Sequence, residues 1–155
     1  MKSAQSWFDE YGESHEDHTN KQIHWICVPA IMFSIIGLIG SIPPPAAFGN
    51  LPFLSWATIT VGFALVYYVV LSPTLALGMA VVFIVMLGTL HHLANAGAPI
   101  TLICAGIFVA AWVGQFVGHK IEGKKPSFFK DLQFLLIGPI WLLNDLYRKL
   151  GIQIN

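Results

Sequence analysis

Six histidines hold most of the reactive capacity of this chain, and four of them crowd into two segments, "SHEDHTNKQIHW" (Ser14 to Trp25) and "GQFVGHKIEGKK" (Gly114 to Lys125). Imidazole is the commonest metal ligand, and neutral His suits Fe, Zn or Cu. His15, His18, His24 and His119 form a set without cysteine. Such a set favours a catalytic ion over a structural one, because closed structural zinc sites usually use thiolates. His15 and His18 are three apart and can share a helix face. His24 lies nine residues beyond His15, about 180° away on an unbroken helix. Convergence therefore needs a break in the helix. Thr19-Asn20 is expected to supply it, with either side chain capping the helix that follows. In the second segment Gln115, His119 and Glu122 stand four and three residues apart on one face. Glu122 is a candidate ligand, or a carboxylate holding the His119 ring from the second shell of groups around the ion.

The elements that must position these residues are membrane helices. Only 10% of the 155 residues are charged, against about 25% in soluble domains, and the mean hydropathy is +0.68. From Gln22 to His119 there is no Asp, Glu, Lys or Arg. A bilayer core demands such a stretch, and a water-facing surface hardly tolerates one. The first 21 residues carry five acids and two lysines, unlike the basic start and adjacent apolar core of a cleavable signal peptide. The first span is therefore expected to be permanent. Cys27 and Cys104 lie within apolar runs without metal-site spacing and read as packing residues.

The expected fold is all-α: a polytopic membrane helical bundle of four transmembrane helices plus a C-terminal interfacial or half-inserted helix. It forms one domain over 1–155, with a polar segment 1–22, four spans in 23–117, a basic loop 118–131 and the last helix in 132–150. The runs are Ile23 to Ile42, Pro52 to Leu71, Pro73 to Leu90 and Ala98 to Val117, each near the 20 or so residues that a bilayer core takes. Pro43 through Asn50, Ser72-Pro73 and Asn95 through Gly97 break them. "LQFLLIGPIWLLNDLY" is interrupted by Gly138-Pro139 and reads as lying in the interface. Gly106, Ala110, Gly114 and Gly118 form a small-residue ridge for close helix packing. Four spans bring the amino terminus and the Lys120 to Lys130 loop to one side, which the positive-inside rule makes cytoplasmic. That side is the cytoplasmic face of a bacterial inner membrane or of the endoplasmic reticulum. His91-His92 should emerge on the far surface, roughly 30 Å away. The tryptophans lie mostly near span ends and read as anchors. Lys120, Lys124, Lys125 and Lys130 set topology by contacting anionic lipid, or hold a lipid carboxylate. No nucleic-acid partner is expected.

The blocks "SHEDHTNKQIHWICVP" and "WVGQFVGHKIEGKKPSFFKDLQFLLIGP" resemble the two signature regions of the 2-hydroxy fatty acid dioxygenase family, and the resemblance extends along the whole chain in order and hydropathy. It matches His15, Asn20, His24 and Pro29 in the first block, then Gln115, His119, Glu122 and Pro126 in the second. His18 departs from the pattern, and His91-His92 lie outside it. The resemblance implies an Fe(II)-dependent membrane enzyme that removes one carbon from a 2-hydroxy fatty acid using O2. It implies metal ligands His15, His24 and His119, leaving His18, a candidate by residue type and position alone, as the weakest, and it implies catalytic roles for Glu122 and Gln115. Lys120, Asn20 and Lys125 are the residues expected to face substrate. Three imidazoles leave positions on the ion for a chelating 2-hydroxy acid and for O2, while the acyl tail stays in lipid. The nearest rival, a histidine-rich hydroxylase or desaturase, needs eight or more histidines in HxxxH and HxxHH boxes. A transporter needs polar groups lining a path through the span interiors, which here offer only scattered Ser, Thr, Tyr and Gln115. A non-catalytic scaffold is the remaining alternative.

Overall fold

A computed structural model describes residues 2–49, 51, 54–123 and 134–154, and all regular structure among them is helical. The α-helices are α1 (Ala4–Gly12), α2 (His18–Gly40), α3 (Trp56–Leu71), α4 (Pro73–Asn95), α5 (Ile100–Ile121) and α6 (Ile137–Leu150), with a 3-10 turn at Ala46–Phe48. Three of them, α2, α4 and α5, are long and apolar enough to cross a membrane, and α3 is a shorter apolar helix. At 16 residues and 1.5 Å per residue, α3 extends about 24 Å.

Local chemistry sets the boundaries. Ser3 caps α1 by accepting from the Ser6 N–H. Asp17, not Thr19 or Asn20, caps α2: its carboxylate accepts from the Thr19 and Asn20 N–H groups. The break expected at Thr19-Asn20 is thus displaced towards the amino terminus, to the residues between Gly12 and His18. Asp is as good a cap as Asn and better than Thr, and its earlier position claims the donors of both. Ser72 alone separates α3 from α4, ending one helix and capping the next by accepting from Leu75 N–H, with Pro73 at the helix start. Proline is tolerated there because its missing N–H has no helical partner to lose. The same reasoning corrects the interruption expected at Gly138-Pro139: both residues fall in the first turn of α6, so the pair opens the helix instead of breaking it. The basic loop and the start of the 132–150 segment lie largely outside the described residues.

The antiparallel pair α2 and α5 forms the spine, and glycines let it close. A Cβ on Gly37 would collide with the Cys104 Sγ, one on Gly114 with the Cys27 Sγ, and one on Gly118 with the Asn20 Oδ1. Both cysteines are free and buried in this seam. The small-residue ridge is real only at its lower end. Gly114 and Gly118 face α2, whereas Gly106 has nothing near it and Ala110 is exposed. A four-residue step overshoots the 3.6-residue turn by about 40°, so the ridge rotates away from its partner. Gly37→Val should therefore overpack the seam and cost about 1–3 kcal/mol, lowering the thermal midpoint in detergent. An unchanged midpoint would mean that the helices do not meet there.

Helix α6 lies against α1, α2 and α4. The Tyr68 hydroxyl donates to the Leu136 carbonyl at 2.9 Å, and the Tyr147 hydroxyl donates to the Thr74 carbonyl at 3.2 Å. The outer faces remain apolar: Phe63, Val66, Leu77, Ile84 and Val109 are all exposed. A soluble monomer rarely shows so continuous an apolar surface, whereas lipid accepts it.

Candidate metal centre

Three helical segments bring three imidazoles together at one end of the bundle. His15 follows α1 and is held from within it. Its Nδ1 donates to the Tyr11 carbonyl at 2.6 Å, and the Tyr11 ring stacks on it with centroids 4.1 Å apart. His24 lies in the second turn of α2, with Nδ1 against the Asn20 carbonyl at 2.9 Å. His119 comes from the last turn of α5. Since a carbonyl can only accept, Nδ1 carries the proton in His15 and His24, and Nε2 carries the lone pair.

All three residues are buried. Ring centroids are 4.3 Å apart for His15 and His24, 5.4 Å for His15 and His119, and 5.1 Å for His24 and His119. One ligand nitrogen from each lies within 4.8 Å of the others, close enough for a single ion to sit among them. Burial lowers the His15 pKa to about 4, although its bond to the Tyr11 carbonyl works the other way. The ring is thus neutral at physiological pH, as a ligand must be. The His15 Nε2 is buried without a hydrogen-bond partner, a state that costs about 1–3 kcal/mol unless something occupies it. An orphaned lone pair between two further imidazoles is the donor set that a divalent transition metal fits.

Glu122, just past α5, grips the turn that carries His15. Its Oε1 accepts from the Glu16 N–H at 2.7 Å. Its Oε2 accepts from the Asp17 N–H at 3.0 Å and from the Asn20 Nδ2 at 2.8 Å. Burial pushes this carboxyl up, but the hydrogen bonds from Asn20 and the two backbone groups outweigh it and hold it below the usual range. Asn20 is wholly buried, and its Nδ2 also donates to the Ser14 carbonyl at 3.2 Å. Among the described residues the metal-competent group comprises His15, His24 and His119, without Glu122.

A model of the 2-hydroxy-palmitic acid dioxygenase Mpo1-like family matches residues 1–150. The chain belongs to that family. It is similar to the 2-hydroxy-palmitic acid dioxygenase MPO1 of Saccharomyces cerevisiae, with 27% identity over 139 residues covering 88% of this chain and 75% of the yeast protein. No solved structure matches it.

In this Mpo1-like chain the other residues singled out from the sequence divide by position. His18 opens α2 and is exposed, outside the trio. His91 and His92 are exposed near the end of α4. The adjacent Leu90 approaches Gly37, which is thirteen residues, or about 20 Å, along α2 from His24. Lys120 is exposed beside His119, and Lys125 lies outside the described residues. Gln115 is buried and lines a cavity of about 30 Å³ together with His24, His119, Tyr11 and Trp112. Two neighbours of the centre escaped the reading of the sequence. Tyr11 both orients and stacks on His15, and its spacing of four residues was the available signal. Trp141, expected as a membrane anchor, stands 5.7 Å from the His15 ring; only the tertiary fold brings it there.

Proposed function

We propose that the chain is an Fe(II)-dependent dioxygenase that shortens 2-hydroxy fatty acids by one carbon at a membrane surface. The observation that carries this reading is the buried trio His15, His24 and His119, with the His15 Nε2 unsatisfied, in a member of a family named for 2-hydroxy-palmitic acid dioxygenase. Oxygen chemistry argues for iron over zinc, which has no redox states to offer. The bound ion supplies Lewis acidity and the electrons that O2 activation needs. The reaction balances with one O2: the C1–C2 bond breaks, C1 leaves as CO2, C2 becomes the new carboxyl, and one water forms.

The residues have separable tasks. The Tyr11 and Asn20 carbonyls fix the tautomers of His15 and His24, leaving Nε2 of each to hold the ion. Glu122 positions His15 through the turn that it grips. Gln115 offers the substrate a buried amide one turn from His119. Tyr11, Trp112 and Trp141 wall the site and exclude water. Lys120, and Lys125 five residues further along the sequence, draw the fatty carboxylate to the surface. Charge is what this last task needs, so Lys120→Arg should keep most activity while Lys120→Glu raises the KM about fivefold. Equal KM values in both variants would remove this lysine from substrate handling.

We also read α3 as a fourth crossing. Its start meets the far end of α2, where a Cβ on Gly40 would lie 3.3 Å from that of Ala57. Its end meets α6 through Tyr68, so it traverses most of the thickness that α2 does. The site and both termini then share the lysine-rich, cytoplasmic side. The direct test of the function is product analysis. Purified protein supplied with iron, O2 and a 2-hydroxy fatty acid should yield the acid one carbon shorter together with CO2, and unchanged substrate would refute the reading.

A further inference from the structure

Beneath the imidazoles the cavity runs inward along two helix faces. On α2, Val28 and Ile31 lie four and seven residues beyond His24. On α5, Gln115 and Trp112 lie four and seven residues before His119. The two helices are antiparallel, so both series descend together from the histidine layer into the apolar part of the bundle, over about 10 Å. All these residues line the same cavity, with Leu135, just before α6, and Pro139, in its first turn, closing the third side. Polarity falls along the descent, from two imidazoles to one buried amide and then to Val28, Ile31 and Trp112, all buried. Such a gradient matches a ligand with a polar head and an apolar tail, oriented head-up.

The volume narrows the choice further. About 30 Å³ holds roughly two water-sized groups, enough for the first carbons of a chain and not for its whole length. We infer that this cleft seats the carbons immediately after the reacting C1 and C2 of a long-chain acid, with the rest of the chain passing out into lipid. The inference rests on the function proposed above and adds where the substrate lies. Val28, Ile31 and Trp112 are then positioning residues for the chain, and a substituent on the first carbons should be rejected where one near the methyl end is tolerated.

Photo-crosslinking separates the alternatives. Full-length, iron-loaded protein in nanodiscs, kept free of O2 to prevent turnover, is illuminated with a 2-hydroxy fatty acid carrying a diazirine either at carbon 4 or near the methyl end. The carbon-4 probe should label Val28, Ile31 or Trp112, and the tail probe should label exposed apolar residues. Ile31→Trp should fill the cleft and cut carbon-4 labelling by about tenfold with iron content unchanged, whereas Ile31→Leu should preserve it. Carbon-4 labels elsewhere in the unaltered protein, or undiminished labelling of iron-replete Ile31→Trp, would overturn the inference. Turnover in air is measured on the same preparation. Turnover with labels outside the cleft discards the cleft alone, and labels inside it without turnover discard the function and keep a fatty-acyl seat.

Discussion

Alanine at His15, His24 or His119 should abolish turnover and lower bound iron by more than about a hundredfold in affinity, because an open three-imidazole site loses affinity and geometry together when one ligand goes. The three substitutions are predicted to act alike despite their different settings, one in a turn and two on separate helices. His15 is the most informative, since its Nε2 is buried without a hydrogen-bond partner. His18→Ala and His91→Ala serve as internal controls, both residues being exposed and outside the trio. Each should retain iron and most activity. Iron content measured on the purified variants decides the matter: full occupancy in the three alanine variants would leave a histidine cluster without a metal role.

The second large effect is expected at Glu122, through a different physical route. Glu122→Ala removes the acceptor for the Glu16 and Asp17 N–H groups and for the Asn20 amide, freeing the turn that delivers His15. Losses of about 10- to 100-fold in metal affinity or activity are typical when a supporting partner of this kind is removed. Glu122→Gln should be intermediate, since a carboxamide keeps the shape but turns its NH2 group, a donor, towards one of the groups that donate to Glu122. Hydrogen exchange at the Glu16 and Asp17 amides distinguishes positioning from ligation. Weakened iron binding together with faster exchange at those amides supports the clamp. Iron loss with both amides still protected would make Glu122 a ligand.

The helical frame was legible because its punctuation is chemical. Ser72-Pro73 could be recognised as a boundary because Ser caps and Pro begins helices, and the structure uses both residues so. The meeting of the two histidine segments could be expected because a charge-free stretch separates two polar ends, and an even number of crossings would return the chain to the side where it began; that patterning offered His15, His18, His24 and His119, and only the family resemblance set His18 aside. Where the reading slipped, competing residues carried the same local signal. Asp17, Thr19 and Asn20 are all capping types, and only the backbone reveals that Asp17 has the extended conformation of a cap. Gly138-Pro139 can end a helix or open one, depending on residues beyond the pair. The glycine ridge failed at Gly106 because an exact four-residue period is not a helical period.

The role of Glu122 was the least visible part of the site. Its donors lie more than one hundred residues earlier in the chain, and no spacing rule connects them. Proximity to His119 along α5 suggested a metal ligand or a partner of the His119 ring, whereas the fold turns the carboxylate towards the amino-terminal turn. Tyr11 is a milder case, since the four-residue step to His15 was present but Tyr11 precedes the segment in which the histidines cluster. Both residues bear on His15, the member of the trio that no long apolar helix carries. A turn has to be tied down from several sides, while His24 and His119 inherit their positions from the glycine-closed seam of α2 and α5.

X-ray absorption at the iron edge, on protein loaded with one Fe(II) per chain, tests the central claim most directly. Three imidazoles are expected around the iron, recognised by their ring multiple scattering, with the remaining positions filled by light oxygen donors that rearrange when a 2-hydroxy fatty acid is added under argon. A first shell without imidazole scattering, or a protein that retains no iron to measure, would contradict it.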